Sequence, residues 1–208
     1  MTESLRIVVV APDLAVEDPG DEHALSQAER SRSLRIGLLE NGFNLVATLP
    51  ADVFLAERLG QLQPDLIIVD AESEARDALE HVVMATREAR RPIVMFTNDS
   101  DTSHVHDAVA AGVTAYIVAG LSAQRIRPIL DVAMARFRHE EHLRRALADA
   151  QSELRERKVI DRAKGLLMAR QQLTEQAAYD KLRRAAMDKG LRVAEVAQRM
   201  LDVADLLG

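Results

Sequence analysis

The chain predicts an α/β domain followed by an all-α tail. Three observations carry this: short apolar runs alternate with helix-period segments as far as about Leu121, a long charge-flanked helical stretch follows, and beyond it apolar residues recur only at helical spacing. The alternation is the pattern of a parallel sheet covered by helices on both faces.

The apolar runs are Leu5 to Val10, Asn44 to Thr48, Asp65 to Asp70, Pro92 to Thr97 and Ala115 to Val118. Five strands with intervening helices make a flavodoxin-like doubly wound domain over residues 1–121. Function in such sheets sits at the carboxyl ends of the strands, here Ala11 to Asp13, Asp70, Thr97 and Ala119. The segment from Val16 to Arg32, with its Glu-Asp-Pro-Gly turn, is an unusually long one after the first strand.

From Ser122 to about Arg157 the sequence predicts one long helix, with residues 122–154 forming a coiled-coil linker. Ile126, Ile129, Ala133, Leu143, Leu147, Ala150 and Leu154 follow a 3-4 spacing broken by Arg136 and Glu140. Leu130, Met134 and Phe137 add a second stripe near its start, for packing on the first domain or on a second subunit. Two stripes suggest dimerisation; the competing reading is a single amphipathic helix laid along its own domain.

Residues 155–208 predict a three-helix unit continuous with that linker. Thr174 is a natural N-cap for a helix from Glu175 to about Asp188, Gly190 ends it, and a last helix runs from about Val193 to Leu206. Val193, Val196, Ala197, Met200, Val203, Ala204 and Leu207 are its expected inward face.

The first of the three helices carries the most informative stretch, Lys158 to Arg170. Arg157, Lys164 and Met168 fall at i, i+7 and i+11, and Lys158, Arg162 and Gly165 at i, i+4 and i+7, so cations surround a glycine. Ile160, Ala163 and Leu167 form the opposing apolar stripe. A glycine inside a helix costs about 1 kcal/mol relative to alanine, so Gly165 beside Ala163 predicts a close approach there by another helix or by a ligand backbone. Cations around a patch of small residues have the makings of a phosphate-binding surface.

Charge distribution agrees. The net charge of −6 divides into 12 Lys and Arg against 8 Asp and Glu from Arg155 onward, and 15 against 25 before it. A basic tail on an acidic body favours nucleic acid for the tail. Aromatics are only 3% of the chain, which argues against recognition built on several stacked rings. The absence of cysteine excludes disulfides, thiolate metal sites and cysteine nucleophiles. No apolar run is long enough to span a bilayer and no export signal is evident, so the expected location is the cytoplasm.

The strand-end residues carry a resemblance. The first domain resembles the receiver domain of bacterial response regulators, the CheY-like fold. In that family an acidic pair after the first strand holds Mg²⁺, an aspartate ending the third accepts phosphate, Thr or Ser ends the fourth, and Lys ends the fifth. Asp70 and Thr97 match, and Tyr116 sits at the family's switch aromatic. Ala11 and Pro12 replace the acidic pair, and Ala119-Gly120 replaces Lys-Pro. Without hard oxygen ligands and a cation, phosphoryl transfer lacks its charge neutralisation, so Asp70 and Thr97 read as a degenerate site in a pseudo-receiver. Asp13, one position on, could replace the metal ligands only in part.

The tail carries a second resemblance. AKGLLMAR, then Glu-Gln-Ala-Ala-Tyr179, Leu182-Arg-Arg-Ala-Ala-Met187 and Val193-Ala-Glu-Val-Ala197 together resemble the ANTAR domain, an RNA-binding antitermination module. Arg91-Pro-Ile-Val-Met-Phe-Thr97, Ala115-Tyr-Ile-Val118 and Ile129 to Phe137 are similar to the NasT-like nitrate-responsive antiterminators. The resemblance implies a homodimer that binds paired hairpins in leader mRNA, acting on RNA polymerase only indirectly. It also implies a gate supplied by a NasS-like nitrate or nitrite sensor protein rather than by phosphorylation. Arg157, Lys158, Arg162, Lys164 and Arg170 are the expected RNA contacts, with Ala163 and Gly165 letting the backbone come near and Tyr179 and Arg183 beside them.

Two further classes stay open. One is a phosphorylated regulator that binds DNA through the C-terminal helices, although the last helix is mostly apolar with Arg199 as its main cation. The other is an interaction protein whose tail binds another protein. No catalytic motif appears, so no enzyme, cofactor or metal is expected. His104 and His106, and His139 and His142 at i, i+3, read as solvated histidines rather than as a zinc pair.

Overall fold

The computed structural model describes residues 4–11, 22–70, 75–87, 89–97, 105–118 and 122–207. Five strands, β1 (Arg6–Val10), β2 (Asn44–Leu49), β3 (Leu66–Asp70), β4 (Ile93–Thr97) and β5 (Ala115–Val118), form one parallel sheet in the order β2-β1-β3-β4-β5. The helices between them are α1 (Glu22–Glu40), α2 (Leu55–Leu62), α3 (Ala75–Ala85) and α4 (Val105–Ala111). All five expected strands form, and the order is the flavodoxin-like one.

The three central strands have apolar side chains on both faces because helices cover both. Val8, Val10, Ile67, Val69, Ile93 and Met95 point to one side, where Leu55, Leu59, Val82 and Ala108 meet them from α2, α3 and α4. Ile7, Val9, Leu66, Ile68, Val94 and Phe96 point to the other, against Leu34 and Leu38 of α1 and Ile126, Leu130 and Ala133 of α5 (Ala123–Gln171). Odd and even positions divide between the two clusters, as the two-residue period of a strand requires.

Helix α5 corrects one expectation. Ile126 and Ala133, placed in the coiled-coil stripe by spacing alone, are buried under the sheet together with Leu130. The first compact unit therefore runs through Glu140 and the second from Glu141 to Gly208, with the division inside a single helix. Leu143, Leu147 and Leu154, by contrast, are 54%, 59% and 60% exposed.

The long segment after β1 runs into a helix. Residues 22–32 form the first half of the 19-residue helix α1. That helix lies tightly against the start of α5: a Cβ at Gly37 would stand 2.5 Å from Ile126 Cδ1 and 3.3 Å from Ala123 Cα. Asn41 Nδ2 donates to the carbonyls of both Gly37 and Ala123 at 2.8 Å, and Arg127 donates to the Asn41 carbonyl.

In the second unit, α6 (Glu175–Lys189) and α7 (Val193–Leu207) follow α5. The Thr174 hydroxyl caps α6 by accepting from the Ala177 amide at 3.2 Å, and Gly190 closes it at φ 62°. The core holds Ala163 and Leu167, Ala178 and Leu182, and Ala197 and Leu201. Three fully buried alanines, one per helix, let the three helices approach closely. Val203, expected to face inward, is 55% exposed, and Leu201, outside the expected face, takes the buried position.

Pro12, Asp13, His104, Ala119 and Gly120, and the turn between Val16 and Asp21, lie outside the described residues, as does the Leu207 side chain. Among the described residues no helix is long and apolar enough to cross a membrane, and no group of His, Asp and Glu is arranged to hold a metal ion.

Candidate nucleic-acid interface

The expected RNA-contacting residues divide once they are placed on the helices. Ala163 is fully buried, packed between α6 and α7, so its expected role at a surface is corrected: the close approach it permits is that of its own bundle. Gly165, two residues on, is the reverse. It faces outward, and nothing lies within 4 Å of a Cβ built there. The glycine is not a packing requirement of this chain.

Around Gly165 the cations fall into two groups. Arg157, Lys158, Arg162 and Arg170 are exposed, and among the described residues no carboxylate forms an ion pair with them. Arg170 stands in the last turn of α5, where the helix dipole favours a positive charge.

Lys164 is different. Its ammonium lies 2.7 Å from both Asp161 and Glu175, with its side chain only 15% exposed. It ties α5 to the first turn of α6. Hydrogen bonds to Asp161 and Glu175 raise the Lys164 pKa above its ordinary value, and the bond from Lys164 holds the Asp161 carboxyl below its own, with Arg157 adding to the effect.

A matching tie fixes α7. The Glu195 carboxylate accepts from the Arg192 amide at 3.0 Å, as in a capping box, while the Arg192 guanidinium pairs with Glu156 of α5 at 2.9 Å. These two clamps hold the three helices behind the cation stripe. Tyr179 and Arg183 lie one turn apart on the exposed side of α6. Among the described residues no hydrogen bond or ion pair joins either to the α5 cations.

The receiver-like centre presents a second arrangement. Asp70 ends β3 with 1% exposure, and its Oδ1 lies 2.9 Å from the Arg30 guanidinium of α1. Thr97 is buried at the end of β4, and Tyr116 of β5 packs on the α2–α4 side of the sheet. At the end of β1 stands apolar Ala11, also buried. Of the described residues here, Ala11 offers only a methyl group and Asp70 faces the Arg30 cation, neither of which favours Mg²⁺. Arg30 escaped the sequence reading, although it shares a stripe with Leu34 and Leu38 at four-residue spacing, and a cation on a buried stripe is the signal.

Residues 148–201 match the family model of the ANTAR domain. The chain is 32% identical over 183 residues to the transcriptional regulatory protein PdtaR of Mycobacterium tuberculosis, covering 88% of this chain and 87% of PdtaR. The chain belongs to the ANTAR-domain response regulators. This regulator is also 42% identical over 69 residues to the nitrate regulatory protein of Klebsiella oxytoca, across 33% of this chain and 17% of that one. A structural match is the signal receiver domain of a modulated diguanylate cyclase from Desulfovibrio desulfuricans G20, with a TM-score of 0.49 and 16% identity over 66% of this chain and 99% of that one. The regulator's receiver-like fold rests on its own strand order, and its ANTAR tail is the unit that contains Gly165.

Proposed function

We propose that this ANTAR-domain regulator is a cytoplasmic transcription antiterminator. It binds paired hairpins in leader mRNA, so that an antiterminator forms in place of a terminator and RNA polymerase continues. The observation that carries the reading is the exposed face of α5 on which Lys158 and Arg162 flank an open Gly165. Cations there engage phosphates, and the missing side chain lets a sugar-phosphate backbone approach the helix. Arg157, Arg170, Tyr179 and Arg183 extend the surface, and Lys164 contributes by holding α5 to α6.

The regulator acts as a homodimer through the exposed Leu143, Leu147 and Leu154 stripe. Its gate is a NasS-like nitrate or nitrite sensor protein, and its targets are nitrate and nitrite assimilation genes. Kinship with a nitrate regulatory protein supports the physiology, and the Arg30–Asp70 pair supports a gate other than phosphate.

A gel-shift comparing hairpin RNA with duplex DNA of the same sequence tests the central claim. The expected result is hairpin binding that weakens with salt. Arg162→Ala should lower the slope of log affinity against log salt by about 0.7 to 0.9, one phosphate contact's worth. Preference for the duplex, or an unchanged slope, would refute the assigned surface.

A further inference from the structure

The ANTAR unit carries a second surface, on the side of the bundle where α6 and α7 meet the end of α5. A cleft of about 470 Å³ opens there, and its floor includes Leu166, Leu182, Met200 and Val203. Its rim carries Arg170, Lys181, Lys189 and Arg199, and no lining residue is a carboxylate. Among the described residues none of the four cations forms an ion pair; Lys181 Nζ donates only to the neutral Gln171 side chain, at 2.6 Å. Val203 is 55% exposed on the floor. An aliphatic trough ringed by four like charges is costly to leave in water, and a partner that is apolar on one face and anionic at its edges relieves both costs.

We infer that this cleft is a docking groove for an acidic amphipathic helix of a partner protein. Such a helix lays side chains at i, i+3, i+4 and i+7 into the trough while its flanking carboxylates meet the rim. The shape favours this occupant over RNA. The lining holds no aromatic ring for a base to stack on, and its one neutral polar side chain, Gln171, accepts from Lys181, so nucleic acid would engage the cations and leave the aliphatic floor bare. Arg170 belongs to both this rim and the surface proposed for RNA, but the docking itself requires no RNA.

The test uses the full chain and a fluorescent helical peptide of repeating Leu-Glu-Glu-Leu-Leu-Glu-Glu heptads, followed by anisotropy. Saturable binding is expected, with no binding by a lysine-for-glutamate peptide or by an order-scrambled one. Val203→Glu should weaken binding about tenfold or more, because it sets a carboxylate against the peptide's own. Thermal melts should be unchanged, since Val203 is half out of the core. Lys181→Glu combined with Lys189→Glu should weaken it similarly from the rim.

Failure of the acidic peptide to saturate, equal binding of the lysine peptide, or indifference to both variants would overturn the inference. So would loss of hairpin RNA affinity in Val203→Glu, which would give the groove to RNA, or a changed sedimentation coefficient in that variant, which would give it to a second copy. A parent protein that binds no hairpin refutes the RNA reading and leaves the peptide result standing.

Discussion

The Arg30 guanidinium of α1 reaches to 2.9 Å from the Asp70 carboxylate at the end of β3, and their side chains are only 9% and 2% exposed. A carboxylate buried there requires a counter-charge, and α1 supplies it from within the fold. Two consequences can be measured.

Arg30→Ala takes a cation away from a buried carboxylate and should destabilise the fold in urea unfolding, by up to about 3–5 kcal/mol. Replacing both residues by apolar ones of similar volume should cost much less, and a double-mutant cycle reads the coupling. On the proposed gating, Asp70→Asn should in turn leave the response to nitrate intact in cells, because that gate does not run through phosphate on Asp70. A lost response with the fold intact would restore the phosphoacceptor.

Gly165 separates stability from binding. An alanine methyl meets no atom of the chain within 4 Å, so Gly165→Ala should stabilise the ANTAR unit by about 0.5–1 kcal/mol. The same methyl would project from the proposed RNA surface, so hairpin affinity should fall. Gly165→Leu should lower it further. A variant that gains stability and keeps full affinity places the RNA elsewhere.

The Lys164 clamp gives a pH dependence on both sides of neutrality. Asp161 titrates below the ordinary aspartate value of about 3.9, so its contribution is present above that pH and is lost as pH falls through the lowered value. Lys164 titrates above the ordinary lysine value of about 10.4, so its contribution is complete below that pH and is lost as pH rises through the raised one. The melting temperatures of the parent and Lys164→Met should therefore differ at neutral pH and converge in strong acid and strong base. A constant difference across the range would show that the lysine acts through packing alone.

Leu147 is 59% exposed, so Leu147→Glu should leave thermal stability nearly unchanged. Its expected effect is on self-association, read as a shift toward monomer in sedimentation velocity. Unchanged sedimentation would remove the stripe from the proposed dimer.

The sheet was legible because its signal is local: each strand is a short apolar run, and β5 begins and ends where its run does. The same holds for α6, whose Thr174 and Gly190 caps act within one turn. Spacing misled where one helix serves two surroundings. Ile126 and Leu147 both fit an α5 stripe, and only tertiary packing sends the first under the sheet and leaves the second exposed. Arg30 and Lys164 show the same limit from the side of charge. A cation's position on a helix is readable, but whether a carboxylate from another element meets it is a long-range fact, which hid both the Lys164–Glu175 tie and the Arg30–Asp70 pair.

Gly37 sits seven residues after Arg30, two turns along the same helix. A Cβ at that point would crowd Ile126 Cδ1 and Ala123 Cα, and Asn41 is bonded to carbonyls of both helices, so α1 and α5 pack closely there. Arg30 and this contact lie on one helix, so α1 joins the strand end that carries Asp70 to the first turn of α5.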